Sequence, residues 1–120
     1  MLYIGVDIIE INRISKTIDQ WGDKFLARIF TTAELELYHQ KTESLAARFA
    51  AKEAVLKLLG KRDTGISWQD IEVLSEKSGK PAITLRGKAL AAAQELAVRN
   101  LQVSLSHSEV YAVAFAAGEA

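Results

Sequence analysis

Asp7 sits in the middle of the apolar run Tyr3-Ile4-Gly5-Val6-Asp7-Ile8-Ile9. An unpaired ionised carboxylate in such a strand would cost several kcal/mol, roughly, in lost hydration. Something must compensate it: a salt bridge, an exposed strand end, or a bound cation. A second group of charges lies on the segment 45–59, whose leucines, alanines and valine cover nearly every side of a helix. That helix should be buried, yet it carries Arg48, Lys52, Glu53 and Lys57. Arg48 stands above Lys52 and Glu53 above Lys57 at i, i+4 spacing, which at a solvated edge adds only a few tenths of a kcal/mol, roughly, per pair. A hard divalent cation accounts for both oddities at once. Magnesium takes oxygen ligands and is held by one or two carboxylates together with substrate phosphates. Asp7 and Glu53 are the candidate ligands, with lysine and arginine on the same helix to grip phosphate oxygens. The combination suits pyrophosphate chemistry, although no spacing rule brings positions 7 and 53 together.

The elements that would position these side chains follow from apolar spacing. Residues 2–11 are rich in Leu, Ile, Val and Tyr and predict a strand, apolar enough to be central and buried on both faces. Ile14, Ile18, Trp21, Phe25 and Ile29 recur at helical intervals and predict two short helices broken at Gly22, with Trp21, Phe25 and Phe30 as core. Thr31 and Glu34 have capping-box spacing and should start a third helix through Leu35, Leu37 and Tyr38. Ser44 is the expected N-cap of the 45–59 helix and Gly60 its left-handed C-cap. Residues 71–74 and 82–85 form a hairpin around Gly79 and Pro81, 87–99 an alanine-rich helix, and 101–105 with 110–115 a second hairpin turning near His107. This order predicts an α+β domain with a mainly antiparallel sheet and helices packed on it.

A chain of 120 residues, 49% hydrophobic, fits one domain over 1–120 with a modest core. Its formal net charge is zero, so no global field favours nucleic acid, and no strand alternates aromatic with basic residues as an RNA-binding sheet would. The absence of cysteine removes disulfides, thiolate catalysis and cysteine zinc sites. No run is long and apolar enough to span a bilayer, so no membrane role and a cytoplasmic location are expected.

Taken together, Ile4 to Ile11 with Arg13, Phe30-Thr31 with Glu34, Arg48-Phe49-Ala50-Ala51-Lys52-Glu53-Ala54 with Lys57 and Gly60, Gly79-Lys80-Pro81, and Ser104-Leu105-Ser106-His107 resemble the holo-acyl-carrier-protein synthase family of small phosphopantetheinyl transferases. The resemblance spans nearly the whole chain. It implies Mg-dependent transfer of phosphopantetheine from coenzyme A to a serine of apo acyl carrier protein, in a homotrimer with each active site at a subunit interface. Asp7 and Glu53 match the family's magnesium ligands; Arg48, Lys52, Lys57, Gly60, Pro81 and His107 fall where the family contacts coenzyme A. The family often continues from the helix as Gly-x-Gly, whereas here Lys61, Arg62 and Asp63 follow Gly60. Within the implied reaction Glu53, directly or through a metal-bound water, is the expected base for the serine proton and Asp7 the competing one, with Lys57 and Lys52 adding positive field. Acyl carrier proteins are acidic, so Arg13, Lys16, Lys24 and Arg28, with Phe25 among them, are the expected docking surface. A non-catalytic coenzyme A or nucleotide binding module is the alternative; it would keep the cations and need neither carboxylate.

Overall fold

Alanine dictates how the layers meet. Ala46, Ala47, Ala50, Ala51 and Ala54 on one long helix and Ala112, Ala114 and Ala116 on the last strand are all essentially inaccessible to solvent. With so little side chain between them, helix and sheet pack at short range. The computed structural model describes residues 1–60 and 65–120; the Lys61-Arg62-Asp63 segment noted above lies outside the described residues. The elements run β1 (Leu2–Glu10), α1 (Ile11–Trp21), α2 (Asp23–Ile29), α3 (Thr32–Tyr38), α4 (Thr42–Leu59), a 3-10 turn (Trp68–Asp70), β2 (Ile71–Ser75), β3 (Pro81–Leu85), α5 (Gly87–Glu95), β4 (Arg99–His107) and β5 (Tyr111–Glu119). Strands β1, β5 and β4 form one antiparallel sheet in that order, and β2 pairs with β3 in a separate antiparallel hairpin. The α+β class with antiparallel pairing is as the sequence predicts.

Helix α4 fills the middle of the molecule, against β1, β5 and β4 on one side and β2 and α1 on others. Strand β1 lies on it so closely that a Cβ built on Gly5 would stand 1.9 Å from the Ala54 carbonyl oxygen and 2.8 Å from the Leu58 nitrogen. Only a residue without a side chain fits there. Because strand side chains alternate, Tyr3, Gly5, Asp7 and Ile9 share one face. Gly5 thus sets Asp7 down beside the turn of α4 that carries Glu53 and Lys57.

Strand β1 departs from expectation in one respect: it is an edge strand, and its other face is open. Leu2, Ile4, Val6 and Ile8 are 53 to 69% exposed. A continuous apolar run promises two covered faces, but nothing in the run says that one chain supplies both covers. Three boundaries also move. Helix α4 begins at Thr42 after an N-cap at Lys41 that makes no side-chain cap bond, so Ser44 lies inside the first turn, where its carbonyl accepts from Arg48 Nη1 at 3.4 Å. Helix α5 stops at Glu95, two residues before Ala97 adopts positive φ, and β5 continues past Phe115 to Glu119. The capping box is present in full, with Thr31 N donating to Glu34 Oε1 at 2.9 Å and Glu34 N to Thr31 Oγ1 at 3.2 Å. Gly22 separates α1 from α2, and Gly60 ends α4 in the left-handed conformation at φ 67°.

Glu34 does more than cap. It is fully buried, receives Val73 N on Oε2 at 2.8 Å, and takes the Lys52 ammonium on Oε1 at 2.8 Å. Nearby, Thr31 Oγ1 at 2.6 Å and Arg86 Nη2 at 3.2 Å donate to Glu72. The Thr31 hydroxyl, then Arg86, hold the Glu72 carboxyl below the usual carboxylate range against the opposing effect of burial. The sign is that of a depressed acid: its stabilisation is present above the unfolded-state value and fades as pH falls through the folded one.

Candidate active site

A hollow of about 410 Å³ opens between the inner end of β1, α1, α2 and α4, lined by Asp7, Ile8, Ile9, Arg13, Ile14, Thr17, Phe25, Phe49 and Glu53. The two carboxylates singled out in the sequence, 46 positions apart, therefore line one cavity. Asp7 Oδ1 accepts from Lys57 Nζ at 3.1 Å, and the same ammonium donates to the Val6 carbonyl at 3.0 Å. Asp7 is thus both salt-bridged and at the cavity. Glu53 Oε1 accepts from the indole Nε1 of Trp68 at 3.3 Å. Among the described residues no other hydrogen bond reaches the Glu53 carboxylate.

The four charges of α4 do not act as one group. An α-helix advances about 100° per residue, so the stripe through Glu53 and Lys57 points well away from the stripe through Arg48 and Lys52. The first stripe faces β1 and the cavity. The second faces α3 and β2. Lys52 is wholly buried and donates to Glu34 Oε1, to the Trp68 carbonyl at 3.1 Å and to the Ile71 carbonyl at 2.5 Å. Its three N–H bonds are spent, and burial pulls its pKa below the lysine range despite the opposing charge and hydrogen bond of Glu34. Arg48, 6% exposed, donates to the Val73 carbonyl and to Ser75 Oγ and lies 3.7 Å from the centre of the Tyr38 ring. In this chain both cations tie α4 to β2, and Lys52, wholly buried with its donors spent, departs from the expectation that it faces coenzyme A. Taking α4 as evenly apolar hid that division.

The remaining expected contacts are dispersed. Gly60 is exposed at the end of α4, while Pro81 lines a separate hollow of about 370 Å³ with Lys80, Gln102, Ser104 and Phe115. His107 is exposed and lines another of about 490 Å³ with Ile11, Glu43, Ser108 and Glu109. Thus Asp7, Glu53 and Lys57 are brought together within one chain, and Pro81 and His107 are not brought to them. Arg13 is at the cavity itself. Lys24, Phe25 and Arg28 line an adjoining hollow of about 410 Å³ with Thr17 and Trp21, and Thr17 and Phe25 are common to both hollows. Of the three aromatics expected in the core, Phe30 is buried, Phe25 is half-buried on a cavity wall, and Trp21 is 58% exposed. Helical spacing places Trp21 on the inner stripe, but it is the last residue of α1. His39 is exposed at the end of α3.

Sequence reasoning missed Gly5 as the residue that seats β1, and Trp68 as a partner of Glu53. The first had a signal, a lone glycine inside a strand pattern, which marks a bulge or a close backbone approach. The second had none, since nothing in the spacing pairs positions 53 and 68.

This arrangement is a small α+β scaffold with an acidic pair at one cavity and a lysine paired to one of the two carboxylates. A family model described as the 4'-phosphopantetheinyl transferase superfamily matches residues 3–116. The chain belongs to that superfamily and, within it, to the holo-[acyl-carrier-protein] synthase family of enzymes. The holo-[acyl-carrier-protein] synthase of Dehalococcoides mccartyi is 51% identical over 114 residues, 95% of each chain. That of Roseiflexus castenholzii is 48% identical over 110 residues, 87% of this chain and 81% of the relative. Among solved structures, the Helicobacter pylori holo-[acyl-carrier-protein] synthase in complex with coenzyme A superimposes with a TM-score of 0.87 at 32% identity, over 97% of this chain and 99% of the other.

Proposed function

We propose that this enzyme transfers the 4'-phosphopantetheine group of coenzyme A to a serine hydroxyl of apo acyl carrier protein and releases adenosine 3',5'-bisphosphate. The observation that carries the reading is the meeting of Asp7, Glu53 and Lys57 at the β1–α4 contact, with both carboxylates on one cavity. A binding module would need the cations alone; two carboxylates beside a phosphate site are repulsive unless a cation joins them. Family membership and a close structural neighbour solved with coenzyme A bound support the same substrate.

The donor set fits magnesium. Among the described residues no three His, Cys, Asp or Glu side chains are grouped to hold an ion unaided. Asp7 and Glu53 form a two-carboxylate site whose remaining ligands would be water and substrate phosphate, the usual pattern for this ion. Bound there, magnesium would supply neutralising charge to the diphosphate. In the reaction the serine oxygen forms a bond to the phosphorus next to the pantetheine arm, and the bond from that phosphorus to the bridging oxygen breaks. Lys57 offsets charge growing on the leaving phosphate, its ammonium already held 3.1 Å from the Asp7 carboxylate. Glu53 accepts the serine proton, its carboxylate having a single hydrogen-bond partner among the described residues. Asp7 orients Lys57 through their 3.1 Å ion pair. The direct test is incubation with apo carrier protein, coenzyme A and magnesium, followed by mass spectrometry for phosphopantetheine on the carrier. An unmodified carrier under conditions where a known synthase modifies it would reject the function.

Arg13, Lys24 and Arg28, around the two adjoining hollows with Phe25 between them, form the surface for the acidic carrier. Arg28→Glu should raise the KM for carrier about tenfold at low ionic strength and much less at high salt; a KM unchanged at low salt would remove this surface from consideration. The open face of the sheet is where further copies of the chain pack, giving the homotrimer. Leu2, Ile4, Val6 and Ile8, with Tyr111 and Phe115 beside them, present more apolar surface than a monomer ordinarily leaves to water. Such packing would bring Pro81 and the outer sheet face of one copy towards another and so complete at a subunit boundary a coenzyme A site that one chain leaves dispersed. Val6→Lys should convert the assembly to monomer in sedimentation; an unaltered sedimentation coefficient would exclude this face. With no helix among the described residues long and apolar enough to cross a membrane, we place the enzyme in the cytoplasm.

A further inference from the structure

The 3-10 turn at Trp68–Asp70 is braced from several directions, more than a linker before a short hairpin needs. The Trp68 carbonyl receives the buried Lys52 ammonium at 3.1 Å. The Gln69 side-chain amide donates to the carbonyls of Ala27 and Phe30 at the end of α2. The Asp70 carbonyl accepts from Arg86 N at 2.8 Å. The indole itself packs against Phe49, ring centres 6.2 Å apart with a 31° tilt, and the Arg28 guanidinium lies 5.9 Å from its centre. Held by these contacts, the indole N–H meets Glu53 Oε1 at 3.3 Å.

We propose that Trp68 is a positioning residue for the transfer reaction, its indole N–H fixing one oxygen of Glu53 so that the other is presented to the cavity. An indole nitrogen can only donate, so the carboxylate must turn an oxygen to it. A glutamate on an open cavity wall otherwise samples several rotamers, and selecting one of them for each turnover costs free energy that the bound indole has already met. The second oxygen, without a hydrogen-bond partner among the described residues, is then the one available to a substrate proton or a cation. Lys52 acquires a purpose here: its buried ammonium has no reach to the cavity, but it holds the carbonyl of the residue that orients Glu53. The same turn touches α2 through Ala27, Phe30 and Arg28, so the segment carrying the proposed docking cation also supports the carboxylate.

This inference rests on the assignment of Glu53 as base and cation ligand, and the test separates the two. Trp68→Phe keeps a ring against Phe49 and Arg28 and removes the donor together with part of the ring volume. We expect kcat to fall about tenfold with the KM for coenzyme A within about twofold, as loss of one hydrogen bond to a charged group predicts. Manganese affinity, titrated calorimetrically with coenzyme A present and carrier absent, should weaken about tenfold, since second-layer partners of a metal ligand usually matter by that much. Thermal stability should change by only a few degrees, roughly, because the apolar contacts remain. Wild-type kcat and wild-type manganese affinity in Trp68→Phe, while Glu53→Gln is inactive, would overturn the role of Trp68 and leave that of Glu53. Wild-type turnover by Glu53→Gln would overturn the base assignment and with it this proposal. If Trp68→Phe does not fold, replacing Trp68 by benzothienylalanine, which keeps the bicyclic shape with sulfur in place of N–H, reads the same kcat and manganese affinity.

Discussion

Glu53→Gln should lose between about 10² and 10⁴ of kcat, the usual range for removing a general base, while retaining coenzyme A. The amide is nearly isosteric with the carboxylate and its carbonyl oxygen can still accept from Trp68 at the observed 3.3 Å. What it lacks is the ability to take a proton and half of the negative charge facing the cavity. Because Glu53 is half-buried with one hydrogen-bond partner among the described residues, unfolding temperature should hardly move, and the loss is then one of chemistry. Asp7→Asn is the control for the competing assignment. It removes the charge that holds Lys57 at 3.1 Å, so beyond the weaker cation binding that both variants should share it should release the lysine, and raise the KM for coenzyme A more than Glu53→Gln does. The measurement is initial rate of carrier modification by mass spectrometry with both substrates varied. Turnover by Glu53→Gln near that of the wild type would remove Glu53 as the base, and an intact Asp7→Asn beside it would leave the cavity without a catalytic carboxylate.

How much of this was legible depended on range along the chain. Three signals confined to a few residues were read correctly, the capping box at Thr31 and Glu34, the break at Gly22 and the left-handed cap at Gly60, while a fourth, the N-cap expected at Ser44, falls instead at Lys41. Each rests on backbone groups that must be satisfied within one turn. The α5–β4 junction and the end of β5 were misplaced because alanine satisfies helix and strand patterns alike, and the positive φ of Ala97 marks where the helix gives way. Asp7 and Glu53 were recognisable as misplaced charges, yet their convergence came from the resemblance, since pairing across 46 positions leaves no periodic trace. Lys52 shows the opposite failure. Its neighbours in sequence made it look like part of the phosphate site, whereas its charge is answered by Glu34, a residue read from the sequence only as a cap. Buried ion pairs are invisible to local patterns because the partner is chosen by packing. The open face of β1 was misread for a related reason: apolar content reports that a face avoids water, and says nothing of whose atoms cover it.

Gly5→Ala should be the most damaging single-carbon addition in the molecule. The new Cβ would lie 1.9 Å from the Ala54 carbonyl oxygen and 2.8 Å from the Leu58 nitrogen, and both are backbone atoms of a helix buried along most of its length. No side chain can swing aside to make room. Strand and helix must separate by more than an ångström, and the inaccessible alanines of β5 and α4 would then lose contact along the same seam. Overpacking against side chains costs about 1–3 kcal/mol; against rigid backbone about 3 kcal/mol or more is expected, which for a domain of this size lowers the unfolding temperature by about 15 °C. The same displacement acts on the site. Asp7 is carried by β1, Glu53 and Lys57 by α4, and their relation is set by this contact. A shift of about 1 Å should cost roughly 10²-fold in kcat, measured at a temperature where the variant is still folded and at equal protein concentration. Ala114, opposite Asp7 on β5 and also fully buried, marks the next place where added volume would lift the sheet, so Ala114→Val should show a smaller loss of the same kind. A Gly5→Ala protein with the melting temperature and turnover of the wild type would mean that β1 does not lie on α4 as described, and the placement of Asp7 beside Glu53 and Lys57 would fall with it.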